Sequence, residues 1–314
     1  MKSDKVTIIG TGSYLPNRVV SNSELCENID TTSEWVEQKL GILERRMTVG
    51  EKTSDLAYHA AINALESATI NKEDLDLIMV VTSSPDQISP STACVLHNKL
   101  NIKKNVPSFD INAVCAGFVY AMSFASTLIS AGIYKNILIV ASETYSKHTN
   151  LNDRHCVFFG DGAGAVVLGP SKNSWMVSEI SSNGNGTGMT GFRMPLDKPF
   201  EMIGKEVWEQ ATKVLPESIK SVLKEANLTA DDINMLVPHQ PSINILKLVA
   251  KDVGLPMDKV KTVMDKYGNI AGASIPIALD DAIKSGEITH GDNILLSAVG
   301  AGWAWGSMII KYNQ

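Results

Sequence analysis

The chain has 314 residues, 44% of them hydrophobic and 20% charged, enough for one large core or two moderate ones. A formal net charge of -6 argues against a general nucleic-acid binder or a protein held on anionic membranes. The four cysteines (Cys26, Cys94, Cys115, Cys156) form no CxxC pair and no metal-ligand spacing, and no secretory signal is evident, so the expectation is reduced thiols in the cytoplasm and no metal.

In chain order, a strand is expected at Val6–Ile9. Gly10-Thr11-Gly12 follows it, but a third glycine is missing and Leu15-Pro16 replaces a helix start, so a turn is the better account than a dinucleotide fingerprint. Helical periodicity runs over Thr53–Ser67, with strands at Leu77–Thr82 and Ser108–Ile111. The stretch Ile111–Tyr134 holds no Asp, Glu, Lys, Arg or His, yet its serines, threonine, glycines and alanines mark a buried central helix, Ala116–Ser130, rather than a membrane span. Strands at Ile137–Ala141, Ala165–Leu168 and Met176–Ile180 come next, Gly160–Gly164 leading into the second of them. Ser181–Phe200, with Gly184, Gly186, Gly188 and two prolines, reads as a long functional or capping loop. A helix at Val207–Glu225, a strand at Met235–Val237 and a helix at Ile243–Val253 follow, the last stopped by Gly254-Leu255-Pro256. Strands at Val260–Thr262, Ile294–Ala298 and Ser307–Ile310 complete an α/β pattern.

The two halves echo each other. Glu73–Ile78 resembles Asp231–Leu236, 158 residues on, and Lys135–Ile139 resembles Asp292–Leu296, 157 residues on. An internal duplication accounts for both, with halves at 1–170 and 171–314.

Ser108–Phe118 reads as a strand, a tight turn and a helix start, with Cys115 at the turn. There the helix macrodipole and free N–H groups favour a thiolate, small neighbours Ala113, Ala116 and Gly117 admit a substrate, and a thiolate can take an acyl group from a thioester. On the cysteine alone, a small buried hydrophobe is an equally good reading. His239 stands at the exit of the Ile233–Val237 strand, where open α/β sheets carry functional groups. Asn269 lies in a glycine turn near residue 272, the repeat counterpart of Cys115. Singly, these two read as a structural histidine and a turn residue. Together with the cysteine they form a set suited to decarboxylating a malonyl thioester. The enolate needs neutral donors, and an imidazole N–H and a carboxamide N–H are each worth roughly 3–4 kcal/mol when preorganised.

At this point the chain resembles the β-ketoacyl-acyl-carrier-protein synthase III family over nearly its whole length. The matching residues are Gly41–Arg46, Cys115-Ala116-Gly117-Phe118, Phe159–Ala165, Met202-Ile203-Gly204, His239-Gln240, Gly268-Asn269 and Gly302–Gly306. The resemblance implies a thiolase-like fold of duplicated α/β halves in a five-layered αβαβα arrangement, a homodimer, and a catalytic Cys115, His239 and Asn269. It implies backbone N–H groups of Cys115 and Ala301 as the oxyanion hole. Trp35 and Arg154 would flank the adenine of coenzyme A, and Met202, Gly204 and Ile245 would line the pantetheine tunnel. Phe159, Val299 and, from the partner subunit, Ser89 would shape the acyl pocket. Acyl-CoA and a malonyl thioester are the implied substrates, with no resident cofactor.

Several positions depart from the family pattern. Pro241-Ser242 replaces Ala-Asn, removing a tunnel amide; Asn244 and Lys39 replace arginines; Val299 replaces a phenylalanine. Ser89, where a bulky residue is common, implies a roomier pocket. Lys247 and Lys251 could still offer a basic face to a carrier protein, although a solvated helix face is the plainer account. The alternatives are a specialised enzyme of secondary metabolism with an unusual starter or a non-malonyl acceptor, and a cysteine-dependent thioester hydrolase.

Overall fold

The computed structural model describes residues 1–184 and 191–314, so Gly186 and Gly188 of the expected loop lie outside the described residues. Strand β1 (Lys2–Tyr14) precedes a small ladder of β2 (Arg18–Ser21) and β3 (Glu44–Met47), between which lie α1 (Asn22–Cys26) and α2 (Ser33–Leu40). Then come α3 (Thr53–Ala68), β4 (Leu77–Val81), α4 (Thr92–Lys99), β5 (Ser108–Ile111), α5 (Gly117–Ser130), β6 (Ile137–Thr144) and the long β7 (Asp161–Ser182). The rest comprises β8 (Phe192–Arg193), β9 (Glu201–Met202), α6 (Gly204–Ala226), β10 (Met235–Pro238), α7 (Ile243–Val253), α8 (Met264–Tyr267), α9 (Ser274–Lys284), β11 (Asn293–Gly300) and β12 (Ala304–Lys311).

The strands run β10-β11-β12-β7-β6-β4-β5, with β1 also paired to β7. β7 serves two half-sheets. Its first part pairs with β6 and its last part with β12. The partners of β1 jump from Trp175 to Pro170, so residues 171–174 bulge out between the halves. Alternation along each strand then builds the layers. Leu77, Met79 and Val81 face a central core with α5 and α9, while Ile78 and Val80 face an outer core with α3 and α4. In the other half, Ile294 and Leu296 face the same centre, and Leu295 and Ile309 pack outward under α6 and α7. The result is the expected helix–sheet–helix–sheet–helix stack. Inside it, Ser126 Oγ of α5 donates to Ser123 O (3.0 Å), and the hydroxyls of Ser123 and of Ser178 on β7 pair (2.7 Å).

Gly10 and Gly12 have a packing role. A Cβ on Gly12 would lie 2.3 Å from Ala64 N, and one on Gly10 2.4 Å from Ala68 N, because β1 runs tight against α3. The two segments expected as strands around Ala165–Leu168 and Met176–Ile180 are one strand. Val260–Thr262 is not a strand: only Val260 bridges to Leu236, with Lys261 N donating to Leu236 O (2.8 Å), before the chain turns into α8. The short helices α2 and α4, which carry weaker periodicity, are additions.

Candidate active site

Cys115 sits on a 3-10 turn, Val114–Ala116, between β5 and α5. Val114 has φ 48°, a strained left-handed conformation for a β-branched residue, and its N–H is held by Asn112 Oδ1 (3.3 Å). The same turn recurs 157 residues on. Ala271 has φ 41°, its N–H is held by Asn269 Oδ1 (2.8 Å), and a 3-10 turn, Ala271–Ala273, leads into α9. The carboxamide of Asn269 is therefore oriented by its own turn. Its Nδ2 has no acceptor among the described residues and remains available as a donor. Its backbone is pinned by Asn269 N to Phe158 O (2.9 Å) and Gly160 N to Asn269 O (3.1 Å).

His239 follows β10, its backbone N–H donating to Ser297 O (2.8 Å). The neighbouring Gln240 locks this exit. Its Nε2 donates to Pro238 O (2.9 Å) and Lys261 O (3.2 Å), and its Oε1 accepts from Val263 N (3.0 Å). The His239 ring is 3% exposed, and burial lowers its pKa to about 4, the Ala271 backbone opposing slightly. It is a neutral imidazole at physiological pH. The Cys115 thiol behaves differently from the macrodipole expectation. Burial first, and the Glu143 carboxylate second, push its pKa well above the ordinary thiol value, so the resting group is a thiol and not a thiolate. Depth in the molecule outweighs the helix end.

Cys115, His239 and Asn269 line one cavity of about 750 Å³. Ala301, Trp35, Arg154, Met202, Gly204, Ile245, Phe159 and Val299 line it too, so all but one of the expected site residues converge. The Arg154 guanidinium lies 5.2 Å from the Trp35 ring centroid at the exposed end, near Lys39 and Lys205. Gly300 presses against the Cys115 turn: a Cβ there would lie 2.8 Å from Cys115 N. Ser89 is the exception, exposed on the segment after β4 and outside the cavity of its own chain. Lys247 and Lys251 lie on the exposed face of α7. Ser242 is spent locally, its Oγ capping α7 by accepting from Ile245 N (3.3 Å), and Asn244 Nδ2 donates to Lys39 O (3.1 Å).

The family profile described as 3-Oxoacyl-[acyl-carrier-protein (ACP)] synthase III matches residues 109–184, and that of its C-terminal part matches residues 223–312. The β-ketoacyl-[acyl-carrier-protein] synthase III of Clostridium acetobutylicum is 40% identical, over 99% of this chain and 100% of that protein. The chain belongs to the β-ketoacyl-acyl-carrier-protein synthase III family. Among solved structures, the 3-oxoacyl-[acyl-carrier-protein] synthase III of Aquifex aeolicus superposes with TM-score 0.94 at 37% identity, covering 98% of this chain and 100% of that one. The priming β-ketosynthase of the R1128 polyketide biosynthetic pathway superposes with TM-score 0.91 at 31% identity, covering 99% and 97%. Membership of this synthase III family makes the chain a condensing acyltransferase with a thiolase-like fold. Among the described residues, no helix is long and apolar enough to cross a membrane.

Sequence reading missed the aromatic side of this synthase's cavity. Tyr145, Phe158, Phe192, Trp208 and Trp303 all line it. Tyr145 packs tilted against Phe159 (4.8 Å between centroids), which meets Phe200 edge-on (4.9 Å), itself stacked on Phe192 (5.4 Å). Phe192 and Met202 reach the cavity because β8 and β9 pair across the end of the long loop. Tyr145 follows β6 directly, at a sheet exit like that of His239, and this position was a usable signal.

Proposed function

We propose that the chain performs a decarboxylative Claisen condensation of an acyl-CoA starter with a malonyl thioester, through an acyl-Cys115 intermediate. In acylation the Cys115 sulfur attacks the thioester carbonyl. The proton leaves Sγ by way of the neutral His239 imidazole and ends on the departing CoA sulfur. The backbone N–H groups of Cys115 and Ala301 hold the tetrahedral oxygen. Trp35 and Arg154 take the adenine end of CoA, and Met202, Gly204 and Ile245 flank the pantetheine arm. Phe159 and Val299 bound the acyl chain, and Ser89 closes its end from the partner of a homodimer.

In condensation the malonyl carboxylate leaves as CO2, and the electron pair forms an enolate. The oxygen is held by His239 and the Asn269 Nδ2 donor. The enolate carbon attacks the acyl carbonyl, and the Cys115 sulfur leaves as thiolate and takes a proton from solvent, the one proton that decarboxylative condensation consumes. A protonated imidazole would quench the enolate, so a histidine with pKa about 4 suits this role. No resident cofactor is required by these steps. Lys247 and Lys251 would meet a carrier protein, and reduced thiols and CoA chemistry fit the cytoplasm.

The observation carrying this reading is that Cys115, His239 and Asn269, from three distant segments, share one cavity with a stacked arginine–tryptophan pair at its exposed end. A second reading, a priming enzyme of secondary metabolism, is favoured by Ser242. Its hydroxyl is consumed in a helix cap where the family pattern has a tunnel amide. The two readings separate on a panel of starters and extenders scored by product mass: one short straight starter with a malonyl carrier thioester supports the first, and an unusual starter or acceptor supports the second. For either, His239→Ala should leave acylation of Cys115 measurable while CO2 release from malonyl thioester falls about 10²–10³-fold. Loss of acylation with decarboxylation intact would refute the proposed division of labour.

A further inference from the structure

Glu143 is the next-to-last residue of β6 and is fully buried, yet the reaction described above uses no carboxylate of the protein. A three-residue segment after β4 cradles it. Ser83 N donates to Oε1 (3.1 Å) and Oε2 (3.2 Å), Ser83 Oγ to Oε1 (3.0 Å), Ser84 Oγ to Oε2 (2.5 Å) and Thr82 Oγ1 to Oε2 (3.4 Å). Ser83 Oγ also pairs with the phenol of Tyr145 (2.9 Å), which lines the cavity. On its other side stands Gly272. A Cβ there would be 3.5 Å from Glu143 Oε1 and 3.1 Å from the carbonyl of Val114, so the carboxyl lies just behind the turn that carries Cys115.

Among the described residues no lysine, arginine or histidine forms an ion pair with Glu143. The titratable groups facing it are Cys115, from the turn before α5, and Tyr145, from the turn after β6. The Thr82–Ser84 segment offers hydroxyls and an amide, and the Ala271–Ala273 turn offers only Gly272. An unpaired buried charge is costly. Burial accordingly pushes the Glu143 carboxyl up to about 7, against the pull of its Ser84, Ser83 and Thr82 donors.

We propose that Glu143 is a positioning residue for the nucleophile. Neutral, it lets the Cys115 thiolate form; ionised, it holds the proton on the thiol and slows acyl loading as the pH rises. No atom is transferred to or from Glu143 in the catalytic cycle. Its influence is the field it places on the sulfur and the anchoring of Ser83 and Tyr145.

The inference rests on Cys115 as the nucleophile, but its test reads only the ionisation of that thiol, so the two can fail separately. The rate of iodoacetamide alkylation at Cys115 is followed by peptide mass spectrometry across pH in wild type and Glu143→Gln, with the exposed Cys94 as internal reference. At about pH 5.5, where the carboxyl is neutral, the two rates should agree. At about pH 8.5 the Gln variant should react roughly tenfold faster, one pKa unit of relief. Glu143→Asp, which keeps the charge, should restore the wild-type shape. A constant ratio at every pH, or coincident curves, would overturn the proposal. If Glu143→Gln does not fold, wild type alone decides: the rate at Cys115 should climb less than tenfold per pH unit between about pH 6 and 8, and a full tenfold climb throughout would refute it.

Discussion

The turn at residues 112–116 and the turn at residues 269–273 are built alike, and only one of them carries a sulfur. Each has an asparagine accepting from the N–H two residues on, a left-handed non-glycine residue, a 3-10 turn and a central helix. The residues placed on this scaffold differ. In the first turn Cys115 faces Gly300, whose lack of a side chain leaves room beside the Cys115 amide. In the second, Gly272 stands where the sulfur would be, and the strand residue across from it is Glu143. The asparagines differ as well: Asn112 is exposed and holds its own turn, whereas Asn269 is buried, lines the same cavity as His239, and has no acceptor for its Nδ2 among the described residues. Two turns of like backbone carry different side chains, and on the function proposed above one holds the nucleophile and the other the enolate donor.

The largest test of that asymmetry exchanges the space opposite each turn. Gly300→Ala forces a Cβ to 2.8 Å from Cys115 N and 3.0 Å from Ala113 O, both backbone. Acylation measured in single turnover should fall by about 10²-fold or more, the effect of displacing a reacting group by some tenths of an ångström to one. Gly272→Ala brings its Cβ no closer than 3.1 Å, partly to the movable side chain of Val81, and should cost under about tenfold. Equal losses in the two variants would mean that the turns are not functionally distinct.

Next in size is the asparagine pair. Asn269→Ala removes a buried donor and should lower condensation about 10²-fold with acylation retained. Asn112→Ala removes one exposed turn contact and should change either step less than about threefold. A comparable defect in both would sink the assignment of the enolate donor.

The smallest effect is on stability. Burial lowers the pKa of His239 in the folded chain to about 4 from the ordinary 6.5, so the unfolded chain binds its proton first. Its contribution is fully present above pH 6.5 and is lost as the pH falls toward 4. The loss is at most roughly 3 kcal/mol. Glu143, raised to about 7 from 4.5, works in the opposite sense, its contribution present in full below about pH 4.5 and lost as the pH rises through about 7. Thermal melts of His239→Asn should therefore decline less than wild type between pH 6.5 and 4, and an unchanged decline would show that the ring is not buried neutral.

The parts legible in sequence are those with strong local causes. Ile243–Val253 has helix periodicity and a glycine stop, and the helix ends at Gly254 in the left-handed conformation. Ser108–Ile111 and the Cys115 turn were readable from small residues and alternation. Val260–Thr262 has strand composition, but Lys261 is drawn away to Asp281 and Glu287 and only one bridge survives. The helix end before α5 favours a thiolate at Cys115, but local sequence shows neither the enclosure of the sulfur nor the Glu143 carboxylate 28 residues away, both of which raise its pKa. The aromatic wall was invisible because Tyr145, Phe192 and Phe200 meet only after the long loop folds back. Ser89 is exposed after β4 and lies outside the cavity of its own chain, so its expected place at the acyl pocket is not met within one chain.

The central claim is that Cys115 alone carries the acyl group. Incubation with an acyl-CoA panel, followed by peptide mass spectrometry, should find one adduct, on the peptide containing Cys115, and none after Cys115→Ser. An adduct on Cys94 or another residue, or undiminished labelling in the serine variant, would contradict the account.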